Sequence, residues 1–191
     1  SSTLYTSPLY VESESEIRCA TYKGGVKMGQ TLNLNIGWNL ATGKEILSSS
    51  PSDKVLTNGI RGSKKQSDFE WTDWYTKKDV SFILDLGANT DIKKVVLGCL
   101  SYSGMAVCKP KSIIVKLSSD GKEYRESVAK EFSESEIFKS GNFIEDIPFD
   151  ISDGKDVRYI QVEYKYAGDC PAYYIKNGQQ SRCRLDEIMV Y

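Results

Sequence analysis

The sequence predicts an all-β chain, folded as an antiparallel β-sandwich or jelly roll, and three observations carry that prediction. Apolar residues recur with a period of two, and the alternating runs are short and close on turn residues. Neither a regular βαβ alternation nor a long amphipathic helix interrupts them. No internal repeat is visible.

From the N-terminus, residues 3–11, 16–23 and 32–36 read as short strands, set apart by Glu12-Ser13-Glu14-Ser15 and Gly24-Gly25. They are too few to bury a core of their own, so they must lean on something else. The character of the chain changes across residues 36–44, and Ser48-Ser49-Ser50-Pro51-Ser52 reads as a loop into a larger unit. Val80, Phe82, Leu84 and Leu86 then share one face of a strand that ends at Gly87-Ala88-Asn89. Residues 92–97 give a further strand. Ile113, Val115 and Leu117 repeat the alternation before Ser118-Ser119-Asp120-Gly121, where Asp-Gly is a hairpin signal. Residues 131–139 are charged and lack an apolar stripe, which allows a turn or two of helix. Strands follow at residues 143–151, at 157–166 with Ile160, Val162, Tyr164 and Tyr166 on one face, and at 185–191.

Composition removes several functional classes. The 191 residues include no histidine, which excludes a Ser-His-Asp triad, a Cys-His dyad, an H-E-x-x-H zinc site and an imidazole proton shuttle. With 25 Lys+Arg against 26 Asp+Glu, the net charge of -1 offers no general attraction to phosphate backbones. The pairs Lys64-Lys65, Lys77-Lys78 and Lys93-Lys94 are too scattered to form a nucleic-acid stripe. The uncharged stretch at residues 95–108 carries Ser and Gly and falls short of the roughly 20 apolar residues a membrane helix needs. The chain opens on Ser1-Ser2-Thr3 without a leader pattern, so an export signal is expected to have been removed or to lie outside it. Five cysteines cannot all pair within one chain, and the absence of C-x-x-C and of histidine argues against structural zinc. They read as small buried residues with one or two bridges, Cys99 with Cys108 and Cys170 with Cys183 being the first pairs to examine.

Three ordered landmarks carry a resemblance. They are Leu56-Thr57-Asn58-Gly59-Ile60-Arg61-Gly62-Ser63 followed by Trp71; Val80-Ser81-Phe82-Ile83-Leu84-Asp85-Leu86-Gly87; and Pro110 and Ser118-Ser119-Asp120-Gly121 with Val157-Arg158-Tyr159-Ile160 and Asp186-Glu187-Ile188. Over residues 37–191 they resemble the factor V/VIII type C (discoidin) fold, also known as carbohydrate-binding module family 32. The opening Leu56–Gly62 run, Asp169-Cys170-Pro171 and Leu185-Asp186-Glu187-Ile188 are similar to the version at the C-terminus of family 20 glycoside hydrolases, the β-N-acetylhexosaminidases. Residues 1–36, through Leu4-Tyr5-Thr6-Ser7-Pro8-Leu9 and Ile17-Arg18-Cys19-Ala20-Thr21-Tyr22, resemble the last strands of the small β domain that precedes the module there, a chitobiase C-terminal-like remnant.

The resemblance implies a noncatalytic accessory module of a secreted, periplasmic or cell-surface bacterial enzyme. It would hold a galactose- or N-acetylglucosamine-type glycan, with the parent's catalytic domain as partner in cis. The alternative is a structural module that buttresses that domain and binds no sugar. The resemblance also implies calcium, held by a carbonyl oxygen of Val55 or Leu56, the side chains of Asn58 and Ser63, and the Glu187 carboxylate. Asn58 stands where the family usually has Asp, which removes one negative charge; the bland reading is a plain Asn58-Gly59 turn with Glu187 as a capping carboxylate.

Asp186 and Glu187 also match the paired carboxylates of a glycosidase. In a strand, adjacent side chains point to opposite faces, so the two are expected to diverge and do no chemistry together. Sugars are held by aromatic faces and a few polar groups. Of the 21 aromatic residues, Phe82, Tyr159, Tyr164 and Trp71 read as packing residues. The aromatics outside the strand registers are Trp74, Tyr75, Tyr102 beside Met105, and Tyr173-Tyr174, with Arg184 or Lys109 to meet hydroxyls. In the discoidin fold these segments map to loops at one end of the barrel, and their exposure decides between binding and scaffolding.

Overall fold

The computed structural model describes residues 3–47, 51–65, 67–72 and 74–191, without the side chains of 51 and 52. Among them, β3 (Glu45–Leu47), β4 (Val80–Thr90), β9 (Val157–Lys165), β6 (Ser112–Ser118) and β7 (Arg125–Glu131) form one antiparallel sheet in that order. A second sheet runs β10 (Leu185–Val190), β5 (Lys94–Tyr102), β8 (Asn142–Asp150). The inward residues of the first sheet, among them Phe82, Leu84, Val115, Ile160 and Val162, share one core with Val95, Leu97, Ile147, Phe149 and Ile188 of the second. The sandwich is thus built by the period of two read from the sequence: each strand offers every second residue to one interior.

β1 (Ser15–Lys23) and β2 (Val26–Ile36) pair only with each other. β2 begins six residues before the expected strand at 32–36. Gly24 and Gly25 both take positive φ (58° and 80°), and this two-residue turn brings Lys23 opposite Val26. On the hairpin, Ile17, Leu34 and Ile36 are half-buried while Leu32 is exposed, and none of them belongs to the sandwich core. The hairpin meets the sandwich where Gly37 N donates to Gly59 O (2.7 Å). Residues 3–11 are not a strand. Pro8 lacks a backbone donor, and Leu4 and Tyr10 are almost wholly exposed.

Elsewhere the differences are local. The expected loop at 48–52 lies outside the described residues at 48–50, and 51–57 form a 3-10 helix (Pro51–Thr57). β5 starts at Lys94 and continues to Tyr102. β3 and the edge strand β7 were not predicted, because β3 is three residues long and β7 is mostly exposed and polar, leaving no alternation to read. The charged stretch 131–139 yields one helical turn, α1 (Glu134–Ile137), started by a capping box between Ser133 and Glu136. All five cysteines are free thiols. The pairings Cys99–Cys108 and Cys170–Cys183 are not formed; the Cys108 thiol instead donates to the Tyr174 hydroxyl (3.5 Å). Burial pushes both the Cys99 and Cys108 thiols up to about 12. No helix of the described residues is long and apolar enough to cross a membrane.

The expected divergence of Asp186 and Glu187 needs correction. Leu185 pairs with Cys99 and Ile188 with Leu97, so two residues of β10 stand opposite Gly98 alone, and this bulge breaks the alternation. Both carboxylates therefore reach the same loop. Asp186 accepts from Arg61 Nε (2.8 Å) and Gly62 N (2.9 Å); Glu187 Oε1 accepts from Gly59 N (2.5 Å) and Ile60 N (3.1 Å). Arg61 continues to Asp146 on β8 (2.6 Å). Gly98 has to be glycine, since a Cβ there would lie 1.9 Å from Asp186 Oδ1. We expect Gly98→Ala to cost about 2 kcal/mol or more in urea unfolding, through overpacking against a buried ion pair. A loss within about 0.5 kcal/mol would mean that the bulge yields easily.

Candidate functional site

The loops at one end of the sandwich are stitched together by main-chain bonds. Arg182 N donates to Ala106 O (2.8 Å) and Cys108 N to Arg182 O (2.9 Å), which lays residue 182 beside the 106–108 segment. Trp74 bridges to Cys183, and Ser103 N donates to Gly141 O (3.0 Å). The tight turn at Ser103–Met105 closes through Ala106 in the left-handed region (φ 55°).

This stitching divides the expected aromatic cluster. Trp74 and Tyr174 belong to the core, not to an exposed surface. Trp74 Nε1 donates to the buried Asp53 (2.7 Å), and its ring lies 5.8 Å from Phe82 and 5.5 Å from Tyr164. Tyr174 packs edge-on against Phe138 (5.4 Å). Arg184 and Lys109 are buried too, with Lys109 Nζ on Glu145 (2.7 Å), so neither presents its charge to solvent. Tyr102 is half-buried against the small Trp71–Leu100–Val107 cluster. The exposed members are Tyr75 (59%), Met105 (38%) and Tyr173 (66%), with the Tyr173 hydroxyl donating to Glu134 (2.8 Å).

Arg182 was missed by sequence reasoning. Its guanidinium stands 4.1 Å from the centroid of the Tyr75 ring. Two arginines flank Cys183, and only the bridges decide which one faces outward. Ile175 and Phe69, 71% and 92% exposed, were also missed; both interrupt polar loops, which is their one sequence signal. Beside the Tyr75–Arg182 stack, Thr76, Lys78, Tyr166, Ser181 and Arg182 line a crevice of about 20 Å³ floored by Trp74. That space holds a water molecule and no sugar ring, so a larger ligand must lie across the rim.

No protein-family model and no curated protein matches the sequence. Solved structures do match its fold. The first module of family 32 in a family 31 glycoside hydrolase from Clostridium perfringens aligns with TM-score 0.50 at 15% identity, over 80% of this chain and 96% of that one. The fold is that of a family 32 carbohydrate-binding module. Two further modules of this kind from the same organism align at TM-scores 0.49 and 0.48, each at 16% identity, over 81% of this chain and 98% and 99% of theirs. The second of these is in complex with GalNAc-β-1,3-galactose.

The discoidin-type fold directs attention to the loop beneath Glu187 as a calcium site. Glu187 is 1% exposed, and its Oε2 has no hydrogen-bond donor. Asn58 Oδ1 accepts from Ile60 N (2.8 Å), its Nδ2 donates to Glu70 (2.6 Å), and Val55 O accepts from Asn58 N (3.3 Å). Ser63 Oγ accepts from Lys65 N (3.3 Å). Among the described residues no three His, Cys, Asp or Glu side chains gather to hold a metal. Of the expected ligands, Glu187 Oε2 is the one buried oxygen without a partner, whereas Asn58 Oδ1, Val55 O and Ser63 Oγ already accept hydrogen bonds that a hard cation would have to share or displace.

Burial pushes the Glu187 carboxyl up to about 8, with the Gly59 and Ile60 amides opposing and the neighbouring Asp186 charge adding to the rise. Burial raises Asp186 as well, against the pull of Arg61. A carboxyl whose pKa is higher folded than unfolded stabilises the fold below the unfolded value, and loses that contribution as pH rises through the folded one. In chelator, the melting temperature is therefore expected to fall as pH rises from the ordinary carboxylate range through about 8, and Glu187→Gln should flatten the profile. A wild-type profile as flat as the variant's would show that Glu187 is ionised throughout.

Proposed function

We propose that the chain is a noncatalytic carbohydrate-binding module whose glycan lies across Tyr75 and Arg182 at the loop end of the sandwich. One observation carries the reading: an exposed aromatic ring with a guanidinium on one face, set on loops that a rigid two-sheet scaffold holds in place. An aromatic face covers sugar C–H groups and a planar fork of N–H donors meets hydroxyls, which is the chemistry saccharide recognition uses. The fold shared with the family 31 enzyme's module supports it, as does the engagement of Asp186 and Glu187 with the 59–62 loop, which leaves no converging carboxylate pair there for glycoside cleavage.

The sequence landmarks further support a place beside a family 20 β-N-acetylhexosaminidase domain, in an exported enzyme. There a weak second site raises the local concentration of galactose- or N-acetylglucosamine-bearing substrate. The scaffold alternative draws on the buried Trp74 and Tyr174, which the loops fill themselves. A glycan array followed by NMR titration separates the two. Near-millimolar binding is expected for one or two stacked rings. Tyr75→Ala should weaken it about fivefold or more with the melting temperature nearly intact, and an array without a single bound glycan would favour scaffolding.

Calcium belongs to the same proposal, held by Glu187 with Asn58, Ser63 and a carbonyl of Val55 or Leu56, where it would supply positive charge tying the loop to β10. Calcium should raise the melting temperature of the wild type by linkage and leave Glu187→Gln unmoved. An unchanged wild-type curve would return the loop to a plain Asn58-Gly59 turn.

A further inference from the structure

The side chains around the Tyr75–Arg182 stack are unbalanced in charge. Arg182 and Lys78 line the same crevice, and the ion pairs of the described residues leave both without a carboxylate partner. No acid is among the residues lining the crevice, and the nearby Asp169 and Asp79 are each engaged on both oxygens. Asp169 accepts from Lys77 Nζ (3.0 Å) and the Tyr166 hydroxyl (2.8 Å); Asp79 accepts from Lys165 Nζ (3.2 Å) and Tyr166 N (2.9 Å). Lys109 Nζ holds one oxygen of Glu145 (2.7 Å). Among the described residues the crevice is therefore lined by cationic donors and by no carboxylate. A neutral sugar presents hydroxyls that both donate and accept, which the Thr76 and Ser181 hydroxyls can meet but which draw no charge-assisted bond from Lys78. A carboxylate or sulfate presents acceptors only, and suits an unpaired planar guanidinium best of all.

Resting on the carbohydrate-binding reading, we infer that the Tyr75–Arg182 site selects an anionic saccharide, one carrying a carboxylate or sulfate next to an apolar ring face. Tyr75 takes the C–H face of the ring, Arg182 the anion by two parallel N–H bonds, and Lys78 adds a second positive charge. The crevice of about 20 Å³ keeps a water between them and does not admit the ring itself.

Three ligands that differ only at C6 test this: methyl galactoside, methyl galacturonoside and methyl 6-sulfogalactoside, each titrated into the isotope-labelled chain and followed by NMR. An anionic ligand is expected to bind roughly tenfold more tightly than the neutral one, the step by which a charge-assisted hydrogen bond exceeds a neutral one. Amide shifts should centre on residues 75 and 181–182, and added salt should shrink the margin. A margin for only one of the two anions identifies the carboxylate or the sulfate as the recognised group and upholds the inference. Arg182→Gln should reduce the anions to the neutral level, and Lys78→Gln should do so in part; Lys78 is an exposed residue, so the latter variant keeps the test open even if the former does not fold. Neutral galactoside binding as tightly as the anions overturns the inference and leaves the carbohydrate-binding reading standing. Shifts absent from this surface with every one of the three, together with a blank glycan array, overturn both.

Discussion

Two carboxylates brought out of water on one strand set the course of much of this chain. Asp186 is fully buried and Glu187 nearly so, and the donors that meet them come from residues 59–62 and the Arg61 side chain. Leaving the buried Asp186 charge or the Glu187 carboxyl without these donors would cost several kcal/mol, so the loop has little freedom in where it passes. Its next residues follow from that. A Cβ on Gly62 would run 2.4 Å from the Trp71 ring, which lies on the far side of β5 with its Nε1 on Ser63 O (2.9 Å). Thr72 then exchanges bonds with Leu185, donating through its N (2.8 Å) and accepting through its hydroxyl (2.9 Å), and Trp74 bridges to Cys183. Tyr75 emerges one residue later. The exposed ring at the loop end is thus positioned by a chain of contacts that starts at the bulge in β10.

The same chain explains why the site is shallow. Trp74, the aromatic with the largest face in this region, is spent on Asp53, Phe82 and Tyr164 beneath the surface, and Tyr174 is spent on Phe138. What reaches water is the next residue along in each case, or its neighbour: Tyr75 after Trp74, and Tyr173 before Tyr174. Such a site has a floor but no walls. Affinity then comes from a few contacts of good geometry and from tethering, not from enclosed area.

The strands with clean alternation were legible because burial itself writes the period: Phe82, Leu84, Ile113, Val115, Ile160 and Val162 are all in the core as read. Edge elements were not, since β7 buries no residue fully and β3 has room for one half-buried residue. Residues 3–11 carried apolar residues without a pairing partner, and composition does not report pairing. At the site, residue type located the right loops but not the right side of each. Whether Trp74 or Tyr75, Arg182 or Arg184 faces solvent is fixed by isolated bridges to Cys183 and Val107, which are long-range facts. The bulge opposite Gly98 was equally invisible, although Gly98 in an otherwise apolar run was its trace.

Free thiols give the molecule an uneven chemical surface. Cys99, Cys108, Cys170 and Cys183 are buried, and Cys19 alone lies exposed, on the hairpin whose partners are its own two strands. Alkylating reagents act on accessible thiolates, so a maleimide should mark the folded chain once, at residue 19, and reach the other four only after unfolding. The fold itself needs no oxidant to form, and a single tether through the hairpin would fix the molecule to a bead or sensor tip in one orientation, on an element that takes no part in the loop-end surface.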